Sequence, residues 1–481
     1  MFFCWSGRLP LLLLPLVLLY LFPSALGSPS AFCVRHDQQN EIRPCRHLQS
    51  RGHKPTAENK IHIDFKCYAS DAEECHKANA TFIAAGELIS AVLEFKTPIY
   101  VNATYLPFCE KLGECSTTKG IRAIGQAYPA VSYLMTDRTD NTTRMYPQAI
   151  LKQYTYIPIR PQWYSYDMNA QFNSDVAWYF ANDTYPITQH QTDLLRTTIH
   201  EFLHGLGFVS SWNADLHERL LPYFPSLTNF LTPKSLIPPN ELAAMSKNLQ
   251  DSQGAQPFWG FVEFPFDKLL VHNGQPLTNI THALNSWYGG NVLFGSILDM
   301  VNAWYASDVR ASAENVYKMG TTPRDVAIVI NSTTLWVETS LVPFAGGSSF
   351  SHVDLELYQS SADYLMVYDA SPGVDIATLT RLYSHGPIGP KLIQTLIGLG
   401  YVVRGHPLPK RPYLSYWNPP EELVGTTTNP SPPVRVFSDG PAQWPTTKET
   451  AVRSGASGLV LPYKLICGPI MALLLAVWTA I

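Results

Sequence analysis

His200, Glu201 and His204 stand in the run His200-Glu201-Phe202-Leu203-His204-Gly205-Leu206-Gly207. Two histidines four residues apart lie one above the other on a single helix face. A neutral imidazole is a good ligand for Zn²⁺, and two from one rigid helix fix half of a tetrahedral site. A glutamate beside the first histidine can take a proton from the attacking water and pass it to a leaving amine. The chemistry implied is zinc-dependent hydrolysis of peptide bonds. The bare motif also arises by chance in long chains, so its surroundings have to carry weight.

Those surroundings suit a buried helix. Thr192 and Asp193 can cap its start. Leu194, Leu195, Ile199, Phe202, Leu203 and Leu206 give it apolar surface. Gly205 and Gly207 permit a sharp end that turns the chain back toward the metal. A catalytic zinc takes three protein ligands and keeps one position open. The compact metzincin spacing would place the third histidine six residues after His204, where this chain has Ser210. Glu218 lies in Leu216-His217-Glu218-Arg219, which does not match the downstream glutamate of thermolysin-like enzymes. The remaining candidates are His217, His272, His282, His352, His385 and Asp354. His352 is the strongest, because Gly346-Gly347-Ser348-Ser349-Phe350-Ser351 leads into it and small residues let the backbone approach a metal. Asp354 is close enough in sequence to orient His352 from behind.

Taken together, His200-Glu201-x-x-His204-x-x-Gly207, a long insertion, the small-residue approach to His352 and a following Leu365-Met366 resemble the leishmanolysin-type metzincins and their secreted relatives. The resemblance runs from about Arg122 to Tyr401 and is closest over 171–212 and 344–401. It departs at Val353, where that family often has tryptophan, and it lacks the cysteine-rich lower region of the protozoan enzymes. The resemblance implies an α+β fold: a mixed-sheet upper subdomain, an active-site helix, a cleft and a lower subdomain. It also implies a zinc endopeptidase with His200, His204 and His352 as ligands, Glu201 as general base and Met366 in the turn beneath the metal. Tyr364 and Tyr368 are candidates to stabilise the oxyanion. The rival from another class is a non-catalytic adhesin or wall-binding protein on the same fold. A dead fold has no need of Glu201, so the intact motif argues against it.

The chain has 481 residues and a net charge of −4, too mild for a nucleic-acid partner, so the expected partners are protein or peptide substrates. Hydrophobic residues make up 46% and charged ones 15%, which suits a globular exported protein. Residues 1–27 read as a signal peptide, with an apolar run from Leu9 to Phe22 and small residues before Ser28. Residues 456–481 read as a removable GPI-anchor signal behind the small residues Ser454 and Gly455. A GPI-linked protein on the cell surface is the expected location. Residues 407–455 are rich in Pro, Ser and Thr and read as an extended stalk.

Between these ends, 28–120 reads as a disulfide-tied region and 121–406 as the catalytic domain. Cys33, Cys45, Cys67, Cys75, Cys109 and Cys115 form an even set, as three disulfides require, and pairing between sequence neighbours is the simplest of the possible connectivities. Asn79, Asn102, Asn141, Asn182, Asn279 and Asn331 are candidate glycosylation sites. Strands are expected at 130–135 and 175–180. Helices are expected near 213–221, 240–249 and 389–399, with a mixed run at 260–271.

Overall fold

A computed structural model of the chain describes residues 31–36, 41–45, 60–115, 123–157, 160–161, 163–237, 256–290, 292–383 and 386–418. The proposed signal peptide, the anchor signal with Ser454 and Gly455, the stalk beyond 418, His385 and the helix expected at 240–249 lie outside the described residues.

The fold is α+β, with several sheets among the described residues, two of which frame the candidate site. The first contains β3 (Ile61–Cys67), β4 (Ile99–Leu106), β5 (Gly125–Pro129) and β8 (Met168–Asn173), in the order β3-β4-β8-β5. The first three strands of that order run parallel, and β5 closes the edge antiparallel to β8. Alternation sets its buried face: Ile99, Val101, Ala103 and Tyr105 of β4 point inward, as do Met168, Ala170 and Phe172 of β8. Two helices cover that face. The first, α1 (Ala72–Val92), starts at Asp71, whose side chain accepts from the Glu73 amide. Its buried stripe includes Ala78, Phe82, Ala85 and Ile89, the spacing of a single helix face. The second, α2 (Leu194–Gly205), carries His200, Glu201 and His204.

The second sheet joins β1 (Phe32–Arg35), β2 (Glu41–Pro44), β6 (Val131–Asp137) and β7 (Thr142–Pro147). Ala130 alone separates β5 from β6, so the chain passes from one sheet to the other within a residue. Within the stretch read as a separate N-terminal region, β1 pairs with β6 and β4 with β8, so its described strands share their sheets with residues after 120. Three disulfides, Cys33–Cys45, Cys67–Cys75 and Cys109–Cys115, join sequence neighbours.

Below α2, residues 256–337 form a second packing region. Phe230, Phe258, Phe261, Trp287 and Trp304 interlock there at ring separations of 4.8–6.2 Å. A hairpin of β9 (Ala327–Ile330) and β10 (Thr333–Trp336) leads toward the His352 loop. The helix α3 (Pro390–Gly398) packs against it and matches the helix expected at 389–399.

Two expectations need correction. The run 175–180 forms only a two-residue pairing at Trp178–Tyr179, and the long strand is β8 just before it. Trp178 turns inward instead, and its indole N–H donates to the Asn173 carbonyl over 2.8 Å. The first residues of the stretch 407–455, read above as a stalk, instead belong to the fold. β11 (Leu414–Tyr416) pairs with β6 and buries Leu414, a contribution hidden in a proline-rich stretch. Of the candidate glycosylation sites, Asn141, Asn182, Asn279 and Asn331 are exposed, whereas Asn79 and Asn102 are half-buried. No helix of the described residues is long and apolar enough to cross a membrane.

Candidate metal centre

α2 begins at Asp193, whose carboxylate accepts from the Arg196 amide. It is buried on nearly every side, with Leu194, Ile199, Phe202 and Leu203 all at 0% exposure. Its end is tight. A Cβ on Gly205 would sit 2.6 Å from the Met168 sulfur, so only glycine lets α2 lie this close to β8. Gly207 has φ 107°, a conformation open to glycine, and reverses the chain directly after the helix.

The structure brings His352 to this helix across a sequence separation of 148. The Nε2 atoms of His200 and His204 are 3.1 Å apart, and that of His352 lies 3.1 Å from the first and 3.2 Å from the second. Each ring is fixed from behind by a backbone carbonyl. His200 Nδ1 meets the Leu365 oxygen at 2.7 Å, His204 Nδ1 the Phe208 oxygen at 2.7 Å, and His352 Nδ1 the Ser348 oxygen at 3.0 Å. A carbonyl only accepts, so each Nδ1 carries the proton. All three Nε2 lone pairs therefore face one another. Burial pushes the His200 pKa down to about 3 and His204 to about 4, and burial with its two neighbours takes His352 well below 6.5. Three converging acceptors that resist protonation can hold a metal ion between them.

Glu201 lies beside them, 4% exposed. One carboxylate oxygen has no hydrogen-bond partner, and the Ala127 amide of β5 donates to the group. Burial raises its pKa to about 8.

The His352 loop is held by groups that the sequence does not advertise. Glu338 is fully buried, and its backbone N–H donates to the His352 carbonyl over 2.8 Å. Its carboxylate accepts from the Ser340 amide and hydroxyl on one side and from the Leu355 amide on the other. Phe350 adopts φ 63°, an uncommon conformation for a bulky residue, pinned by its N–H to the Glu338 carbonyl. Ser351 Oγ accepts from the Ser210 amide, and Ser210 Oγ bonds to buried Asp267 at 2.6 Å. The position that would carry the third ligand at compact spacing thus holds the loop that brings the distant one. Met366 is fully buried, and its carbonyl accepts from the Val353 amide.

The chain's place among known proteins agrees with this being one continuous unit. A family model described as SPBPB7E8-like matches residues 29–437. The chain belongs to the SPBPB7E8-like family. An uncharacterized protein of Schizosaccharomyces pombe is 25% identical over 432 residues, which cover 83% of this chain and 70% of that protein. No solved structure matches.

The other ligand candidates are engaged elsewhere. His217 is buried against Phe230 with its Nε2 3.4 Å from the Leu227 carbonyl. His272 faces Asp325 at 3.3 Å, and His282 bonds Thr142 at 2.6 Å. Asp354 does not orient His352. It caps the short helix Leu355–Tyr358 and faces Arg324 at 3.4 Å, so backbone carbonyls serve in its place. Of the two tyrosines, Tyr364 is fully buried, whereas Tyr368 is 38% exposed with its ring 6.5 Å from His352.

Proposed function

We propose that this protein is a cell-surface zinc metalloendopeptidase of metzincin-like fold. The observation that carries the reading is the convergence of three Nε2 atoms at 3.1–3.2 Å beside a buried carboxylate with one free oxygen. Three nitrogens held about 2.0–2.1 Å from a tetrahedral zinc would stand roughly 3.3–3.4 Å apart, close to what the side chains adopt. When bound, the metal supplies Lewis-acid polarisation of a carbonyl and of water.

The residues would divide the remaining work. His200, His204 and His352 hold the metal with their Nε2 atoms. Glu201 accepts the proton of the attacking water at its free oxygen and returns it to the leaving amine. Met366 forms the floor under the ligands. Tyr368 donates to the developing oxyanion, and burial keeps its hydroxyl protonated. The edge strand β5 passes Glu201, and a sheet edge is the surface along which extended peptides pair. Export and a GPI anchor, which rest on the sequence of the two ends, and N-glycosylation, which rests on the internal Asn-x-Ser/Thr sites, complete the reading.

The test is turnover of a generic unfolded protein by the zinc-loaded chain, next to Glu201→Gln. Hydrolysis by the wild type that vanishes in the variant supports the reading. Equal hydrolysis by both, or none by either with zinc bound, overturns it. Release from cells by a phospholipase that cuts GPI anchors checks the location.

A further inference from the structure

Arg196 lies one helical turn before His200 on α2 and is 8% exposed. Residues four apart share a helix face, so its guanidinium leaves α2 on the same side as the metal-facing histidines. A charge this deeply buried ordinarily has an opposite charge against it. Among the described residues, no carboxylate lies within ion-pair distance of Arg196. Its partners are neutral: one Nη donates to the Asp369 carbonyl over a long 3.4 Å, and the Tyr364 ring centroid lies 5.5 Å away.

The two acids nearby are committed elsewhere. Asp193 spends its oxygens on the Arg196 and Ile376 amides, and Asp369 takes the Ser371 hydroxyl. Burial lowers the guanidinium's pKa, yet arginine stays charged in proteins. The stretch Leu365–Asp369 contacts His200 at one end and Arg196 at the other, with exposed Tyr368 between. One wall therefore runs from the triad to a guanidinium without a direct ion pair, which Asp193 and Asp369 offset only from longer range.

We propose that Arg196 is a specificity-determining residue whose guanidinium receives a carboxylate of a peptide bound at the triad. The inference rests on the peptidase reading for what binds there. Guanidinium and carboxylate match in plane and charge and can form two parallel hydrogen bonds. The carboxylate can come from an aspartate or glutamate side chain close to the scissile bond, or from a free C-terminus.

The experiment uses the full, zinc-loaded chain and one fluorogenic peptide sequence. Glu or Gln is placed in turn at the two positions on each side of the cleaved bond, and a second set carries free or amidated C-termini. The wild type should favour Glu over Gln at one position, or the free over the amidated terminus, by about 10–100-fold in kcat/KM, the scale of a charged hydrogen bond. Arg196→Met should bring that ratio close to one, and Arg196→Lys should keep part of it. The same peptides are titrated by fluorescence anisotropy against Glu201→Gln and against the double variant with Arg196→Met, a readout that needs no turnover. Equal handling of the acidic and neutral peptides by the wild type overturns the inference, as does a preference that survives Arg196→Met. If no peptide is cut but acidic ones bind more tightly through Arg196, the peptidase reading fails and this inference stands.

Discussion

The two halves of the candidate site are built by different means. His200, Glu201 and His204 share one helix, and 3.6-residue periodicity alone places the two imidazoles together. Their support is an apolar stripe and a cap, the ordinary means of fixing a helix. His352 arrives on an irregular loop, and its position depends on buried polar groups: Glu338 on one flank, Ser210 and Asp267 on the other. The first half is rigid because its backbone is satisfied internally. The second is rigid only while specific side-chain hydrogen bonds are intact. The helix half should therefore tolerate changes around it, and the loop half should not.

The sharpest way to break the comparison is at the ligands. Replacing His200, His204 or His352 singly by alanine should abolish stoichiometric zinc binding, read by metal analysis after gel filtration. The corresponding variants of His217, His272 and His282 should keep full zinc. Glu201→Gln comes next. It should hold zinc like the wild type while hydrolysis falls by about 10²–10⁴-fold, measured as initial rates on one substrate.

Glu338→Gln probes the loop half without touching a ligand. It replaces an acceptor-only carboxylate facing three donors by an amide that must point its N–H groups at one of them. Zinc affinity in chelator competition should fall by about 10–100-fold, the range for groups that orient ligands. Substitution of half-exposed Leu195 on the helix half by alanine should change that affinity little.

The smallest effect concerns pH. Burial, and then Glu263, push the Asp267 pKa from 3.8 up to about 7. The folded protein thus holds that proton more tightly than the unfolded chain. The stability this contributes is full below about pH 4 and is lost as pH rises through about 7. In the metal-free protein the buried neutral His200, His204 and His352 add a slope of the opposite sign over that window, so the readout is the difference: the unfolding midpoint of Asp267→Asn should gain on that of the wild type as pH rises from about 4 to about 7. The comparison is best made in a Glu201→Gln background, because Glu201 is raised to about 8 by the same cause and would add a slope of the same sign.

What the sequence discloses follows the same division. The helix motif, its Asp193 cap and its glycine ending are local, and each is visible within a dozen residues. The α+β class is legible from strands that precede a periodic helix. His352 is reachable from sequence only through its small-residue approach. Glu338 and Asp267 give no signal, because an isolated acid looks the same whether it is solvated or buried against backbone amides. Arg196 escapes notice for a similar reason: exposed helix arginines are common, and only packing reveals one that is buried without a direct ion pair among the described residues. β8 is overlooked although Met168-Asn169-Ala170-Gln171-Phe172-Asn173 alternates strictly, because the more apolar run at 175–180 competes with it.

X-ray absorption at the zinc edge, on the purified chain after chelation and reloading with one equivalent of zinc, tests the central claim most directly. The account predicts one tightly held zinc with three imidazole nitrogens at about 2.0–2.1 Å and one further light ligand. In His352→Ala that imidazole signature should be lost along with the metal. A zinc that stays bound with unchanged scattering in His352→Ala, or a wild-type chain that retains none, would contradict it.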